Sequence, residues 1–408
     1  MPNLALSFIL ITVTLDAIGI GLIFPVMPAL LEQVTGGGLA QAALWGGVLS
    51  TAFAVMQFLC GPLVGNLSDR FGRRPVLLVS LAVMAANYLV MARAGSVWWL
   101  LAGRIGAGIA AATQSTANAY AADITPADTR GRTFGLIGAG FGLGFIAGPL
   151  LGGLLATLGP RAPFYAAAAM ALANLAFGFF ALPESLAPGL RRRFTPARAN
   201  PLAALRAVSR LPGLRRLLAS YLIYSIAFYV WPAVWSFYGA AQFGWGAWMI
   251  GVSLAIFGAC MVIVQALMVG PAIRRLGEHR AVLWGMLADL VTLVFYGFVT
   301  SPAWALAFTP VSALGGLVTP ALQSLMSRNA PADAQGELQG VLSSLAALSM
   351  ILSPPIMTAT FSAFTVPGAP WHLPGAPFLL AALLMVVCVA LHVAPLREAR
   401  AASDLRSP

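Results

Sequence analysis

Long apolar stretches recur along the whole chain, and they restrict its fold more than any other feature. A helix that crosses a bilayer needs about 20 mostly apolar residues, and such a helix satisfies its own backbone polar groups within lipid. Only 9% of the 408 residues are charged, whereas a soluble domain carries about 25%. We therefore predict an all-α membrane protein, not a soluble protein, with twelve transmembrane helices at residues 4–30, 43–65, 75–93, 97–122, 132–156, 162–182, 213–238, 247–270, 280–300, 302–325, 337–361 and 374–394.

The basic residues predict the orientation of these helices. All 23 are Arg, and with a cytoplasmic N-terminus only Arg93, Arg104 and Arg161 lie outside the cytoplasmic segments. Positive charge collects on the cytoplasmic side of membrane proteins, so we expect both termini there. The Arg-rich stretch at 191–216 suits a solvated linker beside anionic lipid; nucleic-acid binding is the alternative, and we predict no such partner.

The two halves of the chain repeat each other at a constant offset of 205 residues. Gly65 recurs as Gly270, for example, and Pro149 as Pro354. Transporters built from such repeats place their substrate site near the middle of the membrane. We predict a six-helix half, a cytoplasmic linker, a second six-helix half and a cytoplasmic tail, at residues 1–182, 183–212, 213–394 and 395–408.

The predicted loop between spans 2 and 3 reads GNLSDRFGRRPVLL from Gly65. Its glycines permit a tight turn and close helix approach, and Asp69, Arg70 and Arg73 offer a set of charges for a cytoplasmic gate. A role in topology alone is the alternative for the arginines. The loop resembles the signature loop of the major facilitator superfamily, in which Gly65, Asp69, Arg70, Gly72 and Arg73 are signature positions.

Span 5 carries glycines at every fourth residue, which puts them on one helix face: Gly140, Gly144, Gly148 and Gly152. Small residues at this spacing let membrane helices approach closely, and Pro149 adds a kink. The sequence of residues 135–156 resembles the signature of proton-coupled antiporters in the same superfamily. Generic helix packing is the alternative interpretation.

Two acidic residues and one basic residue lie inside predicted spans. Helix geometry places Asp16 about 18 Å and Asp289 about 14 Å from the start of its span. A charge at this depth costs about 2.5–3.5 kcal/mol on insertion scales and usually faces a bundle interior or an ion path. Both carboxylates are candidates for proton coupling or cation binding, with a structural polar contact as the alternative. Arg104 can balance an acid, relay a proton or form a buried structural pair.

Aromatic residues form a stripe along span 7. Tyr221, Tyr224, Phe228, Trp231 and Trp235 follow helical spacing and share one face. A planar drug can stack on such a face, and packing against lipid or other helices remains equally open.

Over nearly its full length the chain resembles the tetracycline/proton antiporters. The likeness is carried by residues 56–82, 119–135, 269–289 and 320–340. It implies functional roles for Asp16, Asp69, Arg70, Arg104, Asp123 and Asp289, with Asp123 as the partner of the loop arginines. It also places Gln57 and Asn118 near the substrate path. At two further path positions the chain departs from the family pattern, with Asn87 where an Asp and Met261 where a His is usual.

The resemblance implies export of a metal-chelated tetracycline cation in exchange for protons, by alternating access across the bacterial inner membrane. We expect no resident cofactor, since Mg²⁺ enters only with the substrate, and we expect a functional monomer in lipid. The alternative is an exporter of another drug or small metabolite with the same fold. A membrane enzyme or receptor is the alternative from a different class, and the sequence has no ATP-binding Walker loop.

Overall fold

The computed structural model describes residues 2–111, 113–126, 128–187, 189, 191–192, 194 and 212–404. Over these ranges the regular structure is helical throughout and contains no strand, which confirms the predicted all-α class. Most of the predicted linker at 183–212 and the end of the predicted tail lie outside the described residues. The domain boundaries proposed from the sequence therefore stay predictions.

Eleven helices of the described chain are long and apolar enough to cross a bilayer. They correspond to eleven of the twelve predicted spans. The remaining span, predicted at 97–122, consists of the helices Val97–Ala110 and Thr113–Ile124, each of which is too short to cross alone. Counted as one interrupted span, these two helices complete the twelve.

The chain divides into two compact units, Met1–Pro201 with Gly244–Gly258 and Leu202–Phe243 with Ala259–Pro408. Unit 1 contains α1 (Pro2–Ile23), α2 (Met27–Thr35), α3 (Leu39–Phe71), α4 (Arg73–Arg93), α5 (Val97–Ala110), α6 (Thr113–Ile124), α7 (Arg130–Leu155) and α8 (Ala162–Ala181). The 3-10 segments Phe24–Val26 and Ala156–Leu158 belong to the same unit.

Unit 2 begins with the 3-10 segment Pro212–Leu214, followed by α9 (Arg215–Phe228) and α10 (Val230–Phe243). The next helix, α11 (Ala247–Ile263), begins in the part of the chain that groups with unit 1. Unit 2 continues with the π-helical turn Val264–Met268, α12 (Val269–Leu276), α13 (Glu278–Phe298), α14 (Pro302–Ala307), α15 (Thr309–Ala313), the 3-10 segment Leu314–Leu317, α16 (Val318–Asn329), the 3-10 segment Ala332–Ala334, α17 (Gln335–Ala363) and α18 (Ala376–Asp404).

Two glycines separate long helices at equivalent places in the repeat. Gly72 lies between α3 and α4 with φ +108°, and Gly277 lies between α12 and α13 with φ +76°. Residues other than glycine rarely adopt positive φ, so glycine allows the chain to reverse here without strain. The turns bring the first residues of α4 and α13 close to charged side chains of other helices, as described below.

Each unit has its own packed interior. In unit 1 the core joins α1, α4, α6, α7 and the end of α8 through buried residues such as Phe8, Leu81 and Tyr120. In unit 2 Trp231, Tyr238, Tyr296 and Phe378 form an aromatic cluster. Lipid tails are as apolar as the helices, so close packing and buried polar contacts carry helix association here.

Candidate functional site

Helix α7 packs its glycine face against the part of α1 that carries Asp16. A Cβ added to Gly144 would lie 2.5 Å from the Thr14 carbonyl oxygen and 2.6 Å from the Ala17 Cβ. These distances leave no room for a side chain, so the small residue sets how closely the two helices approach. The α7 backbone therefore fixes the segment of α1 on both sides of Asp16.

The same close contact continues toward the end of α7. A Cβ on Gly148 would lie 2.7 Å from the Ile18 carbonyl oxygen, and one on Gly152 would overlap the Leu22 backbone. Pro149 lies against Gly21 of α1. Gly140 also faces α1, at Thr14, so all five predicted residues of this helix lie at one interface or beside it. Gly138, on another face of α7, has no atom near its Cβ position.

Asp16 itself is half-buried and has neither a hydrogen bond nor an ion pair among the described residues. Tyr88 of α4 interacts electrostatically with both Asp16 and Arg104, and its hydroxyl lies against Gly19 of α1. The Arg104 guanidinium lies 5.5 Å from the centre of the Phe53 ring, and its Nε has no partner within the described chain. Tyr88 is thus the side chain that links the acid to the base.

Three further predicted residues lie in the interior of unit 1. Asn87 is 6% exposed, donates from Nδ2 to the Met91 sulfur at 3.8 Å, and turns Oδ1 toward Gly103. The Oδ1 atoms of Asn87 and Asn118 are buried without a partner among the described groups, and Gln57 is half-buried. Buried amide oxygens normally accept a hydrogen bond, so both can accept one from a ligand or a water molecule.

Arg73 stands at the centre of what we call the unit 1 charge cluster: Asp69, Arg73 and Asp123. Its Nη1 lies 2.6 Å from Asp69 Oδ1, and its Nε lies 3.2 Å from Asp123 Oδ2. Nη1 also donates to the Ser68 hydroxyl at 2.9 Å. The Arg73 side chain is only 12% exposed, so the cluster encloses one cation between two anions. The contact between Arg73 and Asp123 that the family resemblance implied is present.

Glu184 supports this cluster, and sequence reasoning missed it. Its carboxylate accepts the backbone N–H groups of Arg73 at 2.8 Å and Arg74 at 3.3 Å, which satisfies the free N–H groups at the start of α4. The carboxylate lies beside Gly72, where a Cβ would overlap it. The neighbouring Ser185 donates to Asp123 Oδ2 at 3.1 Å. Neither residue has a periodic signal, because both follow the end of α8.

Two predicted residues of the same loop lie apart from the cluster. The exposed Arg70 guanidinium lies 5.1 Å from the centre of the neighbouring Phe71 ring. Gly65 has no atom within 4 Å of its Cβ position. Of the predicted loop residues, the structure brings together Asp69, Gly72, Arg73 and Asp123.

Asp289 of α13 is the acid at the centre of unit 2. It is 2% exposed, and its Oδ2 accepts a hydrogen bond from the Tyr224 hydroxyl at 3.1 Å. The same hydroxyl lies 3.0 Å from the Gly315 carbonyl oxygen. A Cβ on Gly315 would overlap the carboxylate, and Asp289 Oδ1 has no partner among the described residues. Asp289, Tyr224 and Gly315 are hereafter called the unit 2 acid site.

The aromatic stripe divides into two parts at Tyr229, where α9 ends. Trp231 and Trp235 lie 5.2 and 5.3 Å from the Tyr296 ring and belong to the buried aromatic cluster, so their role is internal packing. Tyr221 is also buried. Tyr224 and Phe228 stack at 6.0 Å, which places the half-buried Phe228 beside the unit 2 acid site.

Met261 lies in an apolar setting in unit 2. It packs against Val264, Ala313 and Leu317, and its sulfur would be 3.0 Å from a Cβ on Gly316. No charged group is among these contacts. The position at which the resemblance implies a His is thus occupied by a side chain that packs as a hydrophobe.

Unit 2 has an ion pair at the place in the repeat where unit 1 has its cluster. Arg328 Nη1 donates to both carboxylate oxygens of Glu278, at 2.8 and 3.0 Å, and we call these two residues the unit 2 charge pair. The offset of 205 carries Arg73 to Glu278 and Asp123 to Arg328, so the signs are exchanged. The motifs of the sequence did not predict this pair.

Comparisons with known proteins place the chain in a family. The model of the Major Facilitator Superfamily matches residues 9–354. The chain is 43% identical to the class C tetracycline resistance protein of Escherichia coli, over 95% of this chain and 96% of that protein. It is 40% identical to the class G protein of Vibrio anguillarum, over 93% and 95% of the two chains.

The chain belongs to the tetracycline resistance family of the Major Facilitator Superfamily. The crystal structure of the human organic anion transporter MFSD10 has a similar fold, with a TM-score of 0.68 and 26% identity, and it covers 96% of this chain and 99% of its own. The predicted family and the major facilitator fold of two six-helix halves are both confirmed. The protein is therefore a multi-pass membrane transporter.

Family membership makes it possible to interpret the buried acids and the charge cluster as parts of a transporter. In membrane transporters, buried carboxylates often mark ion or substrate paths, and charge clusters between helices can hold one conformation against another. The amide oxygen of Asn87 has no partner among the described residues, and the resemblance implies an Asp at this position. Asn87 keeps an acceptor atom there but cannot carry a charge.

Proposed function

We propose that this protein exports tetracycline in exchange for protons, by alternating access across the bacterial inner membrane. The observation that carries the proposal is the geometry of Asp289. This carboxylate belongs to a transmembrane helix, is almost fully buried, and has a hydrogen bond to one hydroxyl among the described residues. A permanently charged carboxylate at this place would be costly. A group that takes up and releases a proton during each cycle accounts for its presence.

Asp16 supplies a second carboxylate for the same task. It is half-buried and unpaired among the described residues, and α7 fixes its helix through direct contact with α1. An acid without a fixed partner is free to bind a proton or a cation. In this proposal Asp16 and Asp289 exchange protons for the substrate cation, and Arg104 acts on Asp16 through Tyr88.

The charge cluster of unit 1 provides the proposed cytoplasmic gate. Its ion pairs join the ends of α3 and α6 to the start of α4, so helix movement that separates them must break charge-assisted hydrogen bonds. The distribution of Arg residues supports a cytoplasmic location for this cluster and both termini. A potential of 100 mV supplies about 2.3 kcal/mol per charge moved, which is enough to drive modest uphill export.

The proposed substrate is tetracycline bound to Mg²⁺, in which the ion travels as cargo. The named relatives are tetracycline resistance proteins, and their likeness spans nearly the whole chain. Asn87 and Met261 remove two titratable groups from the proposed path, so coupling would rest on Asp16 and Asp289. We propose a monomer without a resident cofactor, which moves the drug without altering it chemically.

Tetracycline uptake into everted membrane vesicles tests the proposal directly. Uptake is measured with Mg²⁺ and an imposed proton gradient for the native protein, Asp16→Asn and Asp289→Asn. Asp333→Asn is the matched control, since it makes the same change at an exposed position in the 3-10 segment Ala332–Ala334. We expect gradient-dependent uptake by the native protein and the control, and none above background by the two buried variants.

Two results would contradict the proposal in different ways. If the well-expressed native protein takes up no tetracycline, the substrate is a different compound. If native uptake persists in both Asp→Asn variants, the acids do not couple transport to protons.

A further inference from the structure

The hydroxyl of Tyr224 has one proton to donate and two acceptors within reach. Asp289 Oδ2 lies at 3.1 Å and the Gly315 carbonyl oxygen at 3.0 Å. A phenol donates one hydrogen bond at a time but can also accept through its oxygen. Whether Tyr224 donates to Asp289 or to Gly315 depends on whether Asp289 can donate a hydrogen bond to the phenol oxygen.

Gly315 lies in an interrupted part of its membrane span. The 3-10 segment Leu314–Leu317 separates α15 from α16, and the Gly315 carbonyl already accepts the Val318 backbone N–H. A carbonyl oxygen has a second acceptor position, and Tyr224 occupies it. Thr319, in the first turn of α16, also hydrogen-bonds to Tyr224. Tyr224 therefore connects α9 to the irregular segment as well as to Asp289.

The protonation state of Asp289 decides between the two arrangements. An ionised carboxylate can only accept, and charge-assisted bonds are the stronger ones, so Tyr224 then donates to Asp289. A protonated carboxyl can donate its own O–H to the phenol oxygen, which leaves the Tyr224 proton for the Gly315 carbonyl. The hydrogen bonds from Tyr224 and from Asp289 thus change when Asp289 gains a proton. No covalent bond changes except the O–H bond formed at Asp289.

We propose that Tyr224 is a positioning residue that transmits the protonation state of Asp289 to the segment Leu314–Leu317. This rests on the proposed function, in which Asp289 carries a proton. The contact between the carboxylate and Gly315, where a Cβ would overlap it, keeps the acid and the segment within reach of one hydroxyl. Among the described residues, the titratable groups that interact with Tyr224 are Asp289 and Cys388.

The first test compares Tyr224→Phe with Tyr238→Phe. Both substitutions remove one buried hydroxyl in unit 2 and keep the ring, and the Tyr238 hydroxyl donates to the Tyr296 carbonyl at 2.7 Å, away from Asp289. Uptake driven by a proton gradient is compared with tetracycline counterflow, which needs no net proton movement. Since a hydrogen bond to a charged group contributes about a factor of ten or more, we expect Tyr224→Phe to lose gradient-driven uptake by about that factor.

Counterflow separates this role from a purely structural one. We expect Tyr224→Phe to keep its counterflow and to show a displaced pH profile of uptake, while Tyr238→Phe keeps both unchanged. Equal losses of uptake and counterflow would mean that Tyr224 only stabilises the fold. Unchanged uptake with an unchanged pH profile would also overturn the proposal.

An infrared measurement on the purified protein tests the same hydrogen bond without any substrate. The carboxylic-acid C=O stretch of Asp289 is identified by its loss in Asp289→Asn. We expect it at higher frequency in Tyr224→Phe and unchanged in Tyr238→Phe; an identical band in Tyr224→Phe would overturn the inference. If the native protein does not transport tetracycline, the proposed function fails while this measurement still decides the role of Tyr224.

A second pair of variants changes the other side of the site. Gly315→Ala places a methyl group in the space of the Asp289 carboxylate, whereas the atoms closest to the new methyl group in Gly316→Ala are those at the flexible end of Met261. We expect Gly315→Ala to shift the Asp289 band and uncouple uptake from the gradient, and Gly316→Ala to do neither. The same result for both variants would contradict the proposed geometry.

Discussion

The charge cluster of unit 1 and the charge pair of unit 2 occupy equivalent positions in the repeat but have opposite polarity. In unit 1 a cation, Arg73, is enclosed between two anions, and its side chain is 12% exposed. In unit 2 the anion Glu278 takes that position with 14% of its side chain exposed, and its partner Arg328 is 71% exposed. The same position of the repeat therefore has an enclosed positive charge in unit 1, Arg73, and an enclosed negative charge in unit 2, Glu278.

The difference shows that an ion pair between two helices needs opposite charges and does not depend on which helix provides which. What has not been exchanged is the surrounding group of acids. Asp69 and Glu184 both contact Arg73 or its backbone, whereas the repeat offset carries Asp69 to the basic residue Arg274. Among the described residues, unit 1 therefore has a network of charges, and unit 2 has a single pair with the neutral neighbour Ser324.

Exchanging the charges within each unit gives the largest predicted contrast. In unit 1, Arg73→Glu with Asp123→Arg keeps a pair but places the new acid beside Asp69 and Glu184. Like charges placed together cost several kcal/mol, so we expect uptake into vesicles to fall about a hundredfold. In unit 2, Glu278→Arg with Arg328→Glu is expected to retain most uptake. Similar activities for the two exchanges would remove the distinction between network and pair.

Single neutral substitutions are expected to differ in the same direction, with smaller effects. Arg73→Gln removes the partner of two acids, and we expect initial uptake to fall about tenfold, since hydrogen bonds to charged groups contribute roughly 1.5–3 kcal/mol. Glu278→Gln leaves a mostly exposed Arg328, and because exposed pairs contribute little we expect a loss of no more than about threefold. Rates are normalised to the amount of protein in the membrane. A greater loss in Glu278→Gln would reverse the comparison.

Glu184→Val replaces this acid with an apolar side chain. It removes the acceptor for the first N–H groups of α4, and we expect the free energy of unfolding to fall by about 1 kcal/mol, as for other N-terminal capping residues. The thermal unfolding midpoint of the purified protein measures this loss. Ser185→Ala, which leaves those acceptors in place, is expected to lower the midpoint less. An unchanged midpoint in Glu184→Val would show that the cap does not contribute.

Ionic strength gives the smallest predicted effect. The Debye length falls from about 30 Å at 0.01 M salt to about 8 Å at 0.15 M. Added salt therefore weakens the unit 2 pair, whose Arg328 is 71% exposed, more than the enclosed unit 1 cluster. We expect a change in native uptake of less than about twofold, and most of it should disappear in Glu278→Gln. If the salt dependence of uptake disappears in Arg73→Gln instead, the salt-sensitive charges belong to unit 1 and the comparison is wrong.

The sequence predicted the helices well because apolar length is a local property. Eleven of the predicted spans are single long helical regions, and the predicted fourth is interrupted between Ala110 and Thr113. The positions of Asp16 and Asp289 within spans also followed from counting residues along a helix. The partner of Asp289 did not, because Tyr224 is 65 residues away in the chain and its stripe fitted drug binding as well as packing.

The sequence by itself determined the membrane class, the number of spans, the repeat and which acids lie within the membrane, since each follows from composition or spacing along one segment. Only the tertiary structure decided that Glu184 supports Arg73, that Glu278 pairs with Arg328, and that Tyr224 lies between Asp289 and Gly315. These contacts depend on the rotation and depth of helices far apart in the chain. A shift of one residue turns a side chain by about 100° around its helix, and spacing within one helix does not define its angle to the next.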